Sequence, residues 1–282
     1  MRAKSGNASR KPTLKMTGRS VFKTLLASLY RPFQMLFLDL MCFCLCLFSA
    51  IVLGILYLFF GAFALVFETV YGFSLWQVGL SFLGVLTGMI AATATIPYWH
   101  QLRKRTMETY REETGMVGSK PEFRLPPTIV GGWCCTLGLF WFAWTIYPSV
   151  HWIVPIIGTS FFGFGLILTY MGIFAFLVDA YVFPHRPLFC TSQDASPYSN
   201  ANTNLGYPRF PFYAASALCA NSFARSCFAG AFPLFGIQMY RALGFHWATT
   251  TLAIATLVMA PIPLFLHRYG GRLRARSRFS IT

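Results

Sequence analysis

Forty-nine consecutive residues, Trp133 to Tyr181, contain no lysine or arginine and a single acid, Asp179. Tyr147-Pro148 interrupts this stretch about a third of the way along. The apolar runs on either side are roughly 20 residues or longer, enough for an α-helix to cross a bilayer core of roughly 30 Å. A short turn between two such runs predicts a helical hairpin through a membrane. Backbone groups in hydrocarbon find no water partners, so each run must satisfy them internally.

The rest of the chain repeats the hairpin. Of its 282 residues 56% are hydrophobic and 11% charged, against about 25% charged in a soluble domain. The expectation is an all-α membrane protein with six transmembrane helices. They fall near 36–67, 75–99, 127–147, 152–178, 213–235 and 247–266. Pro97 is expected to close the second, and its Gly84/Gly88 pair permits close helix packing. The resulting division is a basic linker over 1–34, a helical bundle over 35–267 and a basic tail over 268–282. Two stretches interrupt the bundle: a polar loop at 100–126, and a Pro-, Ser- and Asn-rich stretch at 182–212 with loop composition. Residues 17–30 fit either an amphipathic helix on the membrane surface or a disordered segment.

A formal net charge of +15 would point to nucleic acid in a soluble protein. Here its distribution matters more. In the six-crossing scheme, 21 of the 23 Lys and Arg lie on one side and one, Arg241, on the other. The positive-inside rule then puts both termini in the cytoplasm, and no nucleic-acid partner is expected.

The remaining base, Arg225, lies within the fifth span. Polar groups at membrane depth are functional candidates by default. Arg225 needs an anion: a carboxylate, a lipid headgroup or a substrate. A structural or gating pair and a substrate contact are both open. Asn221 is one helical turn earlier on the same face. Asp39 lies near the start of the first span, and Asp179 near the end of the fourth with Tyr181 beside it. Each acid fits an interfacial ion pair or a proton or cation site. Trp141, Trp144, Trp152 and Trp247 fit interfacial anchors or cavity walls for flat or cationic ligands.

An enzyme is not expected. The five histidines (100, 151, 185, 246, 267) are scattered, and HExxH, phosphate-loop and GxSxG motifs are lacking. Cys42, Cys44 and Cys46 are spaced by two, which fans them around a helix, so no metal is expected there. No cofactor is implied.

Several strings carry a resemblance: RPFQMLFLDL at 31–40, GILYLFFGAF at 54–63, YGFSLWQVGLSFLG at 71–84, PEFRLPP at 121–127, GLFWFAWTIYPSVHWIVPIIG at 138–158, VDAY at 178–181, and YAASALCANSFARSCFAGAFPLFGIQMYRALGFHWA at 213–248. The chain resembles the C-terminal half of fungal major facilitator superfamily transporters. The similar group is the drug:proton antiporters, which includes polyamine and multidrug exporters. The resemblance implies a twelve-helix fold of two six-helix halves around a cavity, of which this chain supplies helices seven to twelve. It implies proton-coupled export of small organic molecules, with the lipid bilayer, an N-terminal six-helix half, substrate and proton as partners, at the plasma membrane. A non-transporting membrane fragment, or a half that only binds a partner, is the alternative. Two departures stand out. Asp39-Leu40 replaces the Glu-Pro usual at the start of the seventh helix. Residues 182–212 separate VDAY from YAAS, as a cytoplasmic insertion or a retained intron read in frame.

Overall fold

A computed structural model describes residues 30–115, 120–182 and 211–276. The linker up to residue 29, with nearly all of the 17–30 stretch, and residues 183–210 of the expected insertion lie outside the described residues. Every regular element among those described is helical.

A short helical stretch at 30–38 leads to Asp39, where the helix breaks. Helix α1 (Leu40–Tyr71) starts there, because the Asp39 carboxylate accepts a hydrogen bond from the Met41 amide at 3.1 Å. An acid at this position satisfies an orphan donor and complements the helix dipole. The helix ends at Gly72, whose φ of 67° permits the chain to turn back. Gly72 N–H donates to Glu68 C=O, the 5→1 bond of an αL closure, and Phe73 N–H reaches back to Phe67 C=O.

The second crossing is built from α2 (Leu75–Ser81), α3 (Leu83–Ala94) and α4 (Ile96–Thr114). Pro97 does not close it. It occupies the first turn of α4, where a missing N–H does no harm. Most of the stretch expected as a polar loop, 100–114, is therefore helix. Its Lys, Arg, Glu, Gln and Met favour helix, and no glycine or proline follows Pro97 until Gly115, where φ of 65° ends it. A 3₁₀ turn (Pro121–Arg124) leads into α5 (Pro126–Thr145), and α6 (Ile153–Val182) completes the opening hairpin.

The next helical run, α7 (Pro211–Met259), spans 49 residues without an assigned break. A straight helix of that length would measure about 74 Å, more than twice the roughly 30 Å core. Gly244 divides it, with φ 77° and ψ 164°, a conformation open essentially to glycine alone. Contacts fix the directions of its legs. Asn221 meets Ser49, Phe232 faces Gly54 and Gly236 faces Leu58, so the first leg runs parallel to α1. His246 meets Ala143, Thr256 meets Thr136 and Ala260 faces Gly132, so the second runs antiparallel to α5. Phe48 faces Gly132 while Phe59 packs on Phe142, so α1 and α5 are parallel. The legs are therefore antiparallel, a hairpin turning at Gly244. Tyr240 and Thr249 hydroxyls bond at 2.9 Å across it, although nine residues of straight helix would separate them by about 13.5 Å. Among the described residues five units are long and apolar enough to cross a membrane, and the last of them folds back on itself at Gly244. Helix α8 (Pro261–Arg276) continues the second leg, so helicity runs past 267 into the expected tail.

Glycines set the closest contacts. Gly131 and Gly138 on α5, and Gly158, Gly165 and Gly172 on α6, recur every seven residues and line one seam. A Cβ on any of them would come closer than 3.0 Å to the facing helix. Burial against lipid gives helices little hydrophobic drive, so close van der Waals packing holds them together. Gly84 and Gly88 do the same between α3 and α6, against Ile156 and Ser160. Helix α1 sits innermost, its Phe59 and Phe63 rings within 5.5 Å of Phe142 and, for Phe63, 4.7 Å from Phe82.

Candidate functional site

Two polar groupings interrupt this apolar packing. The first lies where α1, α6 and the first leg of α7 meet. Arg225 projects from α7 onto two rings of α6, its guanidinium 4.4 Å from the Tyr170 centroid and 5.2 Å from that of Phe174. The ring faces attract the cation. Its Nε is buried without a hydrogen-bond partner, and none of the ion pairs among the described residues involves it. The Tyr170 hydroxyl donates to Ser49 C=O at 3.3 Å, which fixes the ring that Arg225 covers. Asn221 is fully buried one turn before Arg225. The Ser49 hydroxyl donates to its Oδ1 at 2.5 Å, and its Nδ2 has no partner. Chemically this is a cation held by aromatic faces in a low-dielectric setting, able to receive an anion.

The second grouping lies at the end of the bundle that carries the bases of α4. Asp179, near the end of α6, accepts from Arg124 Nε at 2.7 Å and from Arg103 at 3.2 Å. Arg124 adds a contact of 3.4 Å to the other carboxylate oxygen. Asp179 is buried, and both arginines reach it from other elements: α4 and the 3₁₀ turn.

The efflux pump atB of Aspergillus terreus is 48% identical over 99% of this chain, which covers 53% of that protein. A probable drug/proton antiporter of Saccharomyces cerevisiae, YHK8, is 36% identical over 93% of the chain and 44% of its own length. The major facilitator superfamily multidrug transporter mdrA of Aspergillus fumigatus is 37% identical over 94% of the chain and 38% of its own length. The chain belongs to the major facilitator superfamily. It spans about half the length of the curated relatives it matches. No family model matches it, and no solved structure matches it.

Within this half-length major facilitator chain, Asp39 and Tyr181 form a third contact. The Tyr181 hydroxyl donates to Asp39 Oδ2 at 2.5 Å, and both residues are buried. Asp39 therefore caps α1 with one oxygen and ties it to α6 with the other. The acid retained where the superfamily's proline is lost has a helix-capping role. The five residues singled out from sequence thus divide among three places. Asn221 and Arg225 share one helix face but differ in burial. Asp39 joins Tyr181, and Asp179 joins two arginines.

Ser49, Tyr170, Phe174, Arg103 and Arg124 were not anticipated. Ser49 and the two aromatics carry no signal in an apolar run. The arginines sit in a stretch whose basic character reads equally well as a solvated loop. The four tryptophans expected as anchors, Trp141, Trp144, Trp152 and Trp247, are all exposed near the opposite end of the bundle. Trp141 donates to Val154 C=O at 3.1 Å, and Trp144 packs edge-to-face on Trp247.

Proposed function

We propose that this chain forms half of a proton-coupled exporter of small organic molecules, drugs or polyamines, in the plasma membrane, with both termini in the cytoplasm. The observation that carries this reading is Arg225. An arginine held on ring faces at membrane depth, without a carboxylate among the described residues, fits a wall that meets a charged group from outside the chain. A second six-helix half or an anionic portion of the substrate supplies that group. Asn221, locked to Ser49, holds the α7 face in register. Asp179 with Arg103 and Arg124 acts as a gating pair that opens and closes one end during alternating access. Asp39 and Tyr181 join the ends of α1 and α6 that move together. The names of the relatives, an efflux pump and a probable drug/proton antiporter, support the export reading, and the charge bias of 21 bases to one supports the orientation.

The test is export from yeast lacking its own drug pumps. The chain alone is expected to give no export. The chain fused behind the first half of the Aspergillus terreus pump is expected to restore it, and the Arg225→Ala fusion to lose it while reaching the membrane in equal amount. An Arg225→Ala fusion that exports normally sinks the reading. Export by the chain alone overturns its half-transporter part.

A further inference from the structure

A cleft of about 290 Å³ opens between α4, the 3₁₀ turn and α6. We propose that it holds the phosphate of an anionic phospholipid, with the acyl chain lying along its apolar end.

The cleft is polar at one end and apolar at the other. Arg103, Arg124 and His100 line the end nearest the basic segments. Ile96 and Met171 line the end that points into the bundle. Ile96 and Arg103 are seven residues apart on α4, about 10.5 Å of rise, so the polarity changes within the reach of one lipid molecule. The guanidinium groups of Arg103 and Arg124 both reach Asp179 at the wall. A phosphate oxygen is an acceptor geometrically suited to such groups. Trp99 adds an independent pointer. The residue lines this cleft, and its indole Nε1 is buried without a hydrogen-bond partner among the described residues. An indole N–H only donates, so a ligand there must bring an acceptor. The wall is stiff: Phe123 packs edge-to-face on Tyr110 at 5.6 Å, and Lys120 covers the Tyr110 ring at 4.2 Å. A free phosphate satisfies the donors but leaves the apolar end uncovered. A lipid satisfies both, and the chain's +15 charge draws it to anionic membrane surfaces. The inference rests on membrane insertion and not on the transport reading.

The experiment uses the purified full chain in phosphatidylcholine nanodiscs doped with phosphatidic acid or phosphatidylserine. Lipids retained on release are counted by native mass spectrometry, with inorganic phosphate as competitor. The expected result is retention of one anionic lipid per chain in preference to phosphatidylcholine, unmoved by inorganic phosphate. Arg103→Gln, which leaves Asp179 its shorter Arg124 contact, weakens the preference about tenfold, as loss of a charge-assisted hydrogen bond predicts. Trp99→Phe keeps the ring and weakens it about threefold. Equal retention of phosphatidylcholine, or undiminished preference in both variants, overturns the proposal. Displacement of the lipid by inorganic phosphate overturns the lipid assignment in favour of a soluble anion.

Discussion

The guanidinium of Arg225 lies 4.4 Å above the ring of Tyr170, and the Tyr170 hydroxyl is tied to the backbone of Ser49. Three helices thus hold one cation in place. Ring and hydroxyl do different work, and substitutions separate them. Tyr170→Phe keeps the ring and is expected to cost about 0.5–1 kcal/mol through the lost hydrogen bond. Tyr170→Leu removes the face as well and is expected to cost about a further 1–2 kcal/mol. Thermal unfolding of the purified chain in detergent measures both. Equal effects of Phe and Leu would remove the cation–π contact from the account.

Asp179 opposes two arginines, so its loss should exceed the loss of either. Removing the acid leaves two partly buried guanidinium groups facing each other. Fully buried pairs broken this way lose roughly 3–5 kcal/mol, and the partial exposure here lowers the expectation for Asp179→Ala to about 2–3 kcal/mol. Arg103→Gln is expected to be milder than Arg124→Gln, because Arg124 makes the shorter contact, 2.7 Å against 3.2 Å. Melting curves at low and high salt rank the three. The reverse order of the arginines would contradict the geometry.

Gly88 and Gly79 lie on the same crossing and give opposite expectations. A Cβ at Gly88 meets the Ser160 backbone, whereas one at Gly79 meets nothing within 4 Å. Gly88→Ala is therefore expected to destabilise by about 1–3 kcal/mol, as overpacking does. Gly79→Ala is expected to stabilise by a few tenths up to about 1 kcal/mol, by removing backbone freedom from the unfolded chain. Paired denaturation measurements decide this. Similar losses at both would show that α3 can shift away from α6.

Gly244 turns the α7 hairpin in a conformation closed to other residues. Gly244→Val is expected to strain the turn by about 1–3 kcal/mol and to loosen the Tyr240–Thr249 contact. The readout is amide hydrogen exchange across residues 240–249, slow in the parent and faster in the variant. Unchanged exchange would argue that the turn tolerates a side chain.

Much of this architecture was legible in the chain. Apolar runs of crossing length, the Tyr147-Pro148 break and the charge bias depend on local composition, and hydrocarbon leaves the backbone little choice but helix. Gly84 and Gly88 announced a close approach because small residues have one use in such a run. The glycines of the α5–α6 seam carry the same signal at a spacing of seven. Helix ends were less legible. Pro97 suggested a stop and in fact starts a helix, because a proline's effect depends on which turn it occupies.

The sequence by itself determined that the chain is helical, membrane-embedded and arranged in antiparallel hairpins, and it placed Arg225 and Asn221 on one face. Those properties repeat along the chain and are set by neighbours within a few turns. Only the tertiary structure decided the partners. Asp39 meets Tyr181, 142 residues away. Ser49 meets Asn221, 172 residues away. Asp179 draws in Arg103 and Arg124 from separate elements. Hydropathy cannot specify such meetings, since every apolar face is compatible with every other. Glycine contacts and ring packing select among them, and they fix Arg225 on the faces of Tyr170 and Phe174.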